Sequence, residues 1–252
     1  MTLTDHAFYV CPIARAVVPV LRSRFFSATG LIAGSMAPDF EYFFRMNVKG
    51  IYGHTFWGIF YFDVPVSLLI AILFHTVVKK NLLDNLPGFI QSRFRDTRDL
   101  DFTSYLKDHK MIFLWSVILG TVTHIIWDGF THQRQFGVQA LPMIYEGRTI
   151  RVGDVDYPLW YALQHISTYV GGVILVIYVW RMKAIPGIQY RPVIWYWVAL
   201  IAITSAITYV RMQFDYGNLW YVILVITACA AFCIGITILG LIPFRKQLMG
   251  NH

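Results

Sequence analysis

Charge and cysteine are both scarce in this sequence. Only 14% of its 252 residues are charged, with 14 acidic side chains in all, and its three cysteines are Cys11, Cys229 and Cys233. So few cysteines, two of them four apart in an apolar run, leave no basis for a disulfide framework or a zinc knuckle. There is no Gly-x-Ser-x-Gly elbow, which removes the usual serine nucleophile signature. Gly/Ser linkers, low-complexity tracts and internal repeats are missing as well, so a single domain over residues 1–252 is expected. Ahead of Cys11 stands neither a basic region nor a long apolar core, so the N-terminus is expected to be retained without cleavage or lipidation.

What the chain has instead is apolar surface. Hydrophobic residues make up 57%, aromatic residues 17%, and the mean hydropathy is +0.54. Crossing about 30 Å of hydrocarbon takes about 20 residues of helix. Five segments meet that length: Thr55 to Val78, Met111 to Phe130, Tyr157 to Trp180, Val193 to Val210 and Leu219 to Ile242. Trp57, Trp160, Tyr161, Trp195 and Trp220, near their ends, suit interface anchors. The fold expected is all-α, a polytopic transmembrane bundle (residues 54–243). Before it lies an N-terminal helical segment (residues 1–53) packed at the outer membrane face, with shorter apolar pieces at Ala7 to Leu21 and Leu31 to Phe44. Within the latter, Pro38 suits a first helical turn and Asp39 the positive end of that helix.

The formal charge is +7, but the basic residues are scattered through loops between apolar runs and form no nucleic-acid motif. They fit membrane topology and lipid headgroups better. Lys79, Lys80, Arg93, Arg95, Arg98, Lys107 and Lys110 fall in one connection, with Arg181, Lys183 and Arg191 in another on the same side. That side is expected to be cytoplasmic, together with the C-terminus. Residues 79–110 also space Leu82, Leu83, Leu86, Phe89, Ile90 and Phe94 as an interfacial cytoplasmic helix would.

One stretch breaks the apolar pattern. In "GTVTHIIWDGFTH", His124, Asp128 and His132 recur every four residues, a stripe on one helix face. Neighbours at this spacing can chelate one ion, but His124 and His132 would stand about 12 Å apart on a straight helix. Either the helix unwinds near Gly129 or Asp128 bridges two metals. A simpler reading is a buried His124–Asp128 hydrogen-bonded pair with His132 at the surface. On the expected topology, however, His54, His124, His132 and His165 gather at the outer side, and polar groups at membrane depth usually serve function. The N-terminal segment adds His6 and Asp39. His75, His109 and His252 fall elsewhere and read as unrelated to the cluster. Asp63, near mid-membrane before Pro65, suits a kink, an intra-bundle pair or proton transfer equally.

These same residues carry a family resemblance. "LTDH" with His6, "GSMAPDFEYF" with Asp39, "GHT" with His54, "THIIWDGFTH" with His124, Asp128 and His132, and "LQHIS" with His165 resemble a family of bacterial integral-membrane proteins, domain of unknown function 4184. The resemblance covers nearly the whole chain, with Asp5 where serine is usual and Gly53 before His54. More distantly, the pattern is similar to that of membrane-bound metal-dependent hydrolases and of helical zinc phospholipases C.

Together these features suggest a metal centre of His6, Asp39, His54, His124, Asp128, His132 and His165. Seven ligands exceed one tetrahedral site, so two ions are expected, Zn²⁺ first, with Mn²⁺ or Fe²⁺ compatible. The function expected is a membrane-embedded metal-dependent hydrolase of a lipid-linked or phosphodiester substrate. Asp39 or Asp128, whichever oxygen is not committed to metal, would be the catalytic base. The alternatives are a structural metal site and, third, a metal or proton transporter.

Overall fold

The computed structural model describes residues 25–132, 136–187, 190–214, 216–244 and 247–248. Among these, five helices are long and apolar enough to cross a membrane: α2 (Ile59–Asp84), α3 (Phe102–Thr131), α4 (Leu159–Arg181), α5 (Ile194–Arg211) and α6 (Trp220–Gly240). They fall on the five predicted segments, so the chain is an all-α polytopic bundle. Another helix precedes them, α1 (Ala28–Arg45). A small antiparallel hairpin, β1 (Thr149–Val152) and β2 (Val155–Pro158), leads into α4.

Helix α1 begins earlier than its sequence suggests. Ser27 is its N-cap, its hydroxyl accepting from the Gly30 N–H at 3.2 Å, while Met46 closes the helix in the left-handed region. Pro38 therefore stands in the helix interior and not in its first turn, and Asp39 is well past the positive end. An interior proline has no N–H for the carbonyl four residues before it. Here that carbonyl belongs to Gly34, and the Thr121 hydroxyl of α3 donates to it at 2.9 Å.

That bond needs the two backbones to be close, and glycine allows it. Gly30 and Gly34 on α1 meet Ser116 and Gly120 on α3, each pair four residues apart. A Cβ at Gly30 would sit 2.8 Å from the Phe113 carbonyl oxygen; at Gly34 it would strike the Val117 carbonyl, and at Gly120 the Leu31 carbonyl. Such small-residue seams let helices pack closely in lipid. The Ser116 hydroxyl adds a fastening, accepting from the Ser27 N–H at 2.8 Å. Helix α1 thus runs beside α3 from Phe113 to the level of Asp128, and it also packs on α2 and α6.

Helix α2 is interrupted by two π-helical turns, Ile59–Asp63 and Phe74–Val78. Beyond it, residues 79–110 do not form one interfacial helix. Lys79–Asp84 continues α2, two short turns follow at Gly88–Gln91 and Arg95–Asp99, and α3 starts at Phe102. Polar bonds override the apolar spacing: the Gln91 amide donates to the carbonyls of Asp84, Leu86 and Tyr190, and Arg98 grips Asp84 at 2.6 and 3.0 Å. His75, read as separate from the cluster, is a core residue near that end, stacked on Phe102 at 4.3 Å and 3.0 Å from the Thr29 hydroxyl. Helices α4 and α5 turn most of their length outward, as lipid-facing helices do.

The glycine seam gives a direct test. Gly34→Ala should destabilise the protein by about 1–3 kcal/mol, because the added methyl has only backbone to displace. Gly172→Ala on α4, with open space where its Cβ would go, should be neutral or stabilising by up to about 1 kcal/mol. Thermal unfolding of both variants in detergent checks the contrast; equal effects would contradict the seam.

Candidate metal centre

The seam delivers two side chains to one point. Asp39 lies on α1 just past Pro38, and His124 lies one turn beyond Gly120 on α3. Both are buried, with 2% and 4% exposure. The His124 Nδ1 lies 2.9 Å from the Ser35 carbonyl oxygen. A carbonyl only accepts, so Nδ1 carries a proton, and Nε2 is the ring atom that faces Asp39. Metal-ligating histidines are commonly oriented in this way.

Residues 46–58 bring the third group, His54. Its Nε2 is 3.7 Å from Asp39 Oδ1 and 3.2 Å from Asp128 Oδ2; His124 Nε2 is 3.8 and 3.4 Å from the same two atoms. One ligand atom from each of Asp39, His54 and His124 lies within 4.8 Å of the others. Ligand bonds of 2.1 Å in a tetrahedral site place donor atoms about 3.4 Å apart. The observed separations bracket that value. This buried Asp/His/His group therefore has the spacing to hold a metal ion.

Asp128 extends the group in the other direction. Its Oδ1 faces His132 Nδ1 at 3.8 Å. Helix α3 ends at Thr131, and His132 takes an extended conformation (φ −124°, ψ 133°). The helix therefore unwinds at His132, not near Gly129, and this returns the imidazole toward Asp128. His132 is buried, with 6% exposure, so it is not a surface residue. Its Nδ1 is 3.2 Å from the Asp128 carbonyl and its Nε2 is 3.3 Å from Gln164 Nε2 of α4. His165, next along α4, packs its ring on Tyr161 at 4.4 Å. His6 lies outside the described residues.

What the sequence reading missed is how His54 is held. Glu41, one turn after Ala37 on α1, turns Oε2 to three consecutive backbone N–H groups, Ile51 at 2.9 Å, Tyr52 at 2.7 Å and Gly53 at 3.0 Å, while Arg45 binds Oε1 at 3.0 Å. The residue after this clamp is His54. Burial raises the Glu41 carboxyl, but the three amides and Arg45 outweigh it and hold it below its ordinary value of 4.5. Tyr42 packs against His54, ring centres 5.6 Å apart. Burial first, then the charges of Asp39, Asp128 and Glu41, push its hydroxyl up, so it stays protonated at neutral pH.

Two outcomes follow for Glu41. Removing such an outer support lowers metal affinity roughly 10–100-fold, so Glu41→Gln should show that loss in competition with a chromophoric chelator, and unchanged affinity would refute the clamp. Because the folded-state pKa is depressed, the stabilisation is complete above pH 4.5 and is lost as pH falls through the lower folded value. Wild type should therefore lose stability in that acid window more steeply than Glu41→Gln, as unfolding midpoints across pH would show.

No curated protein and no solved structure matches the chain. A family model described as "Domain of unknown function (DUF4184)" matches residues 13–241. That stretch holds the glycine seam, the Glu41 clamp and the buried Asp/His/His group together, and it establishes that the chain belongs to this family.

Proposed function

We propose that the protein is a membrane-embedded metal-dependent hydrolase whose centre is formed by Asp39, His54, His124 and Asp128. The observation that carries this reading is the convergence of four ligand-type side chains from α1, residues 46–58 and α3 at 3.2–3.8 Å. Imidazole and carboxylate together suit Zn²⁺, with Mn²⁺ and Fe²⁺ compatible. Two ions are proposed: Asp39, His54 and His124 would hold one, and His132, which the other Asp128 oxygen faces, would serve the second. A bound transition metal supplies Lewis-acid polarisation and acidifies water toward neutral pH.

The chain's own residues do the rest. Ser35 fixes the His124 tautomer, Glu41 sets the backbone before His54, and the Asp39 or Asp128 oxygen not engaged by metal takes up the proton of the attacking water. A lipid-linked or phosphodiester substrate is proposed because the centre lies toward one end of the membrane helices, near headgroup depth. The distribution of basic residues favours placing that end outside and the C-terminus in the cytoplasm of a bacterial plasma membrane. The competing reading is a structural metal that only ties α1 to α3. The glycine seam and the Thr121 and Ser27 bonds already fasten that pair, which weighs against it.

Elemental analysis of protein purified without chelators should find two transition-metal ions per chain, with metal lost in His54→Ala and in His124→Ala. Metal-loaded protein in nanodiscs should then cleave a member of a phosphodiester and lipid-ester panel, with Asp39→Asn at least 100-fold slower. Bound metal that supports no cleavage, and whose removal unfolds the protein, would replace this reading with the structural one. A reporter fused after His252 should read cytoplasm; a signal from the opposite side would invert the orientation.

A further inference from the structure

Asp63 stands apart from the metal centre and is the least accommodated charge-bearing group in the bundle. It is fully buried, and neither carboxyl oxygen has a hydrogen-bond partner among the described residues. Asp63 has helical φ and ψ (−68°, −40°) and caps no backbone N–H, so a helix-cap role is ruled out. No described basic side chain reaches it at ion-pair distance. Ser67 follows one turn later on the same face of α2, equally buried, its hydroxyl also without a partner among the described residues.

The backbone at this level is open too. Asp63 ends a π-helical turn, and Pro65, two residues on, brings no N–H to the ladder. The carbonyl that this N–H would have served is left without it. The charged groups whose fields reach Asp63 are His124 on α3 and Asp39 and Glu41 on α1, two carboxylates against one imidazole. An ionised carboxylate in hydrocarbon is too costly to stand alone, and intramembrane acids generally hold a partner or an ion.

We propose that Asp63 and Ser67 form a monovalent-cation site, for H⁺ or Na⁺, buried in α2 beneath the metal centre. Carboxylate and hydroxyl are hard oxygen donors, the set that takes Na⁺ or a bound proton and not a soft transition metal. Being one carboxylate deep, the site neutralises with a single positive charge. It goes beyond the hydrolase reading and does not depend on it, since none of its donors belongs to the metal centre.

The full-length protein in detergent tests this without substrate. Its unfolding midpoint is measured against NaCl, with choline chloride keeping ionic strength constant, and its infrared spectrum is recorded in the carboxylic-acid carbonyl region. For Na⁺, the midpoint rises with the logarithm of Na⁺ concentration, is flat in Asp63→Asn, and needs about tenfold more Na⁺ in Ser67→Ala. For H⁺, the midpoint ignores Na⁺, but a protonated-carboxyl band is present in wild type, absent in Asp63→Asn and shifted in Ser67→Ala. Should Asp63→Asn fail to fold, the wild type and the charge-preserving Ser67→Ala decide alone. No Na⁺ response together with no band sensitive to these substitutions overturns the site.

Discussion

The closeness of two backbones governs everything else in this molecule. Helices α1 and α3 touch through Gly30, Gly34 and Gly120, each set so close that an added Cβ would meet the partner's backbone. Lipid tails are as apolar as leucine, so hydrophobic exclusion does not drive such a pair together; dispersion contacts and interhelical hydrogen bonds must. The seam supplies both. It also sets distances, because helices this close bring Ser35 within reach of His124 and put Asp39 opposite Asp128. Pro38 turns a defect into a link, exposing a carbonyl of α1 that α3 satisfies through Thr121. A broader seam would leave the same residues several ångströms apart and the cluster without a centre.

A polar site in such surroundings is expensive, and the structure spreads that cost over several supports. His124 gives its proton to a main-chain carbonyl, Asp128 divides its oxygens between histidines on either side, and Glu41 neutralises three amides in the segment leading to His54. The His124 and Glu41 arrangements satisfy main-chain polarity that burial would otherwise penalise, while fixing the direction of side chains that face the cluster. The charge on Glu41 is itself balanced by Arg45 one turn further along α1. The result is rigid where ligands must be placed and open to lipid elsewhere, along α4 and α5.

Much of this was readable from the chain alone, for reasons particular to each element. The five long apolar helices announce themselves by length and composition. His54, His124, Asp128 and Asp39 could be grouped because charged and imidazole groups are rare in such a chain. Helix α1 was harder: Asp39, Glu41 and Arg45 dilute its hydropathy, and Pro38 imitates a helix start. The Gly30/Gly34 and Ser116/Gly120 spacings were in the sequence, yet glycine pairs reveal a seam only when the partner helix is known. Glu41 reads as an ordinary helix residue until residues 51–53 are seen wrapped around it. For residues 79–110 the apolar spacing pointed to one amphipathic helix, but Gln91 and Arg98 bind across the segment and fold it into short turns.

The pairing of α1 with a helix so far along the chain also orders events during synthesis. Residues 46–101 separate the two. At roughly 5–20 residues per second, α1 leaves the ribosome several seconds before α3 is complete. During that interval its glycine face has nothing to close upon, and Asp39 has no His124 beside it. A helix so burdened does not rest in hydrocarbon on its own. Its settling into the bundle is therefore a step that waits for α3, and the cluster of ligands is complete only once the two helices have closed on each other.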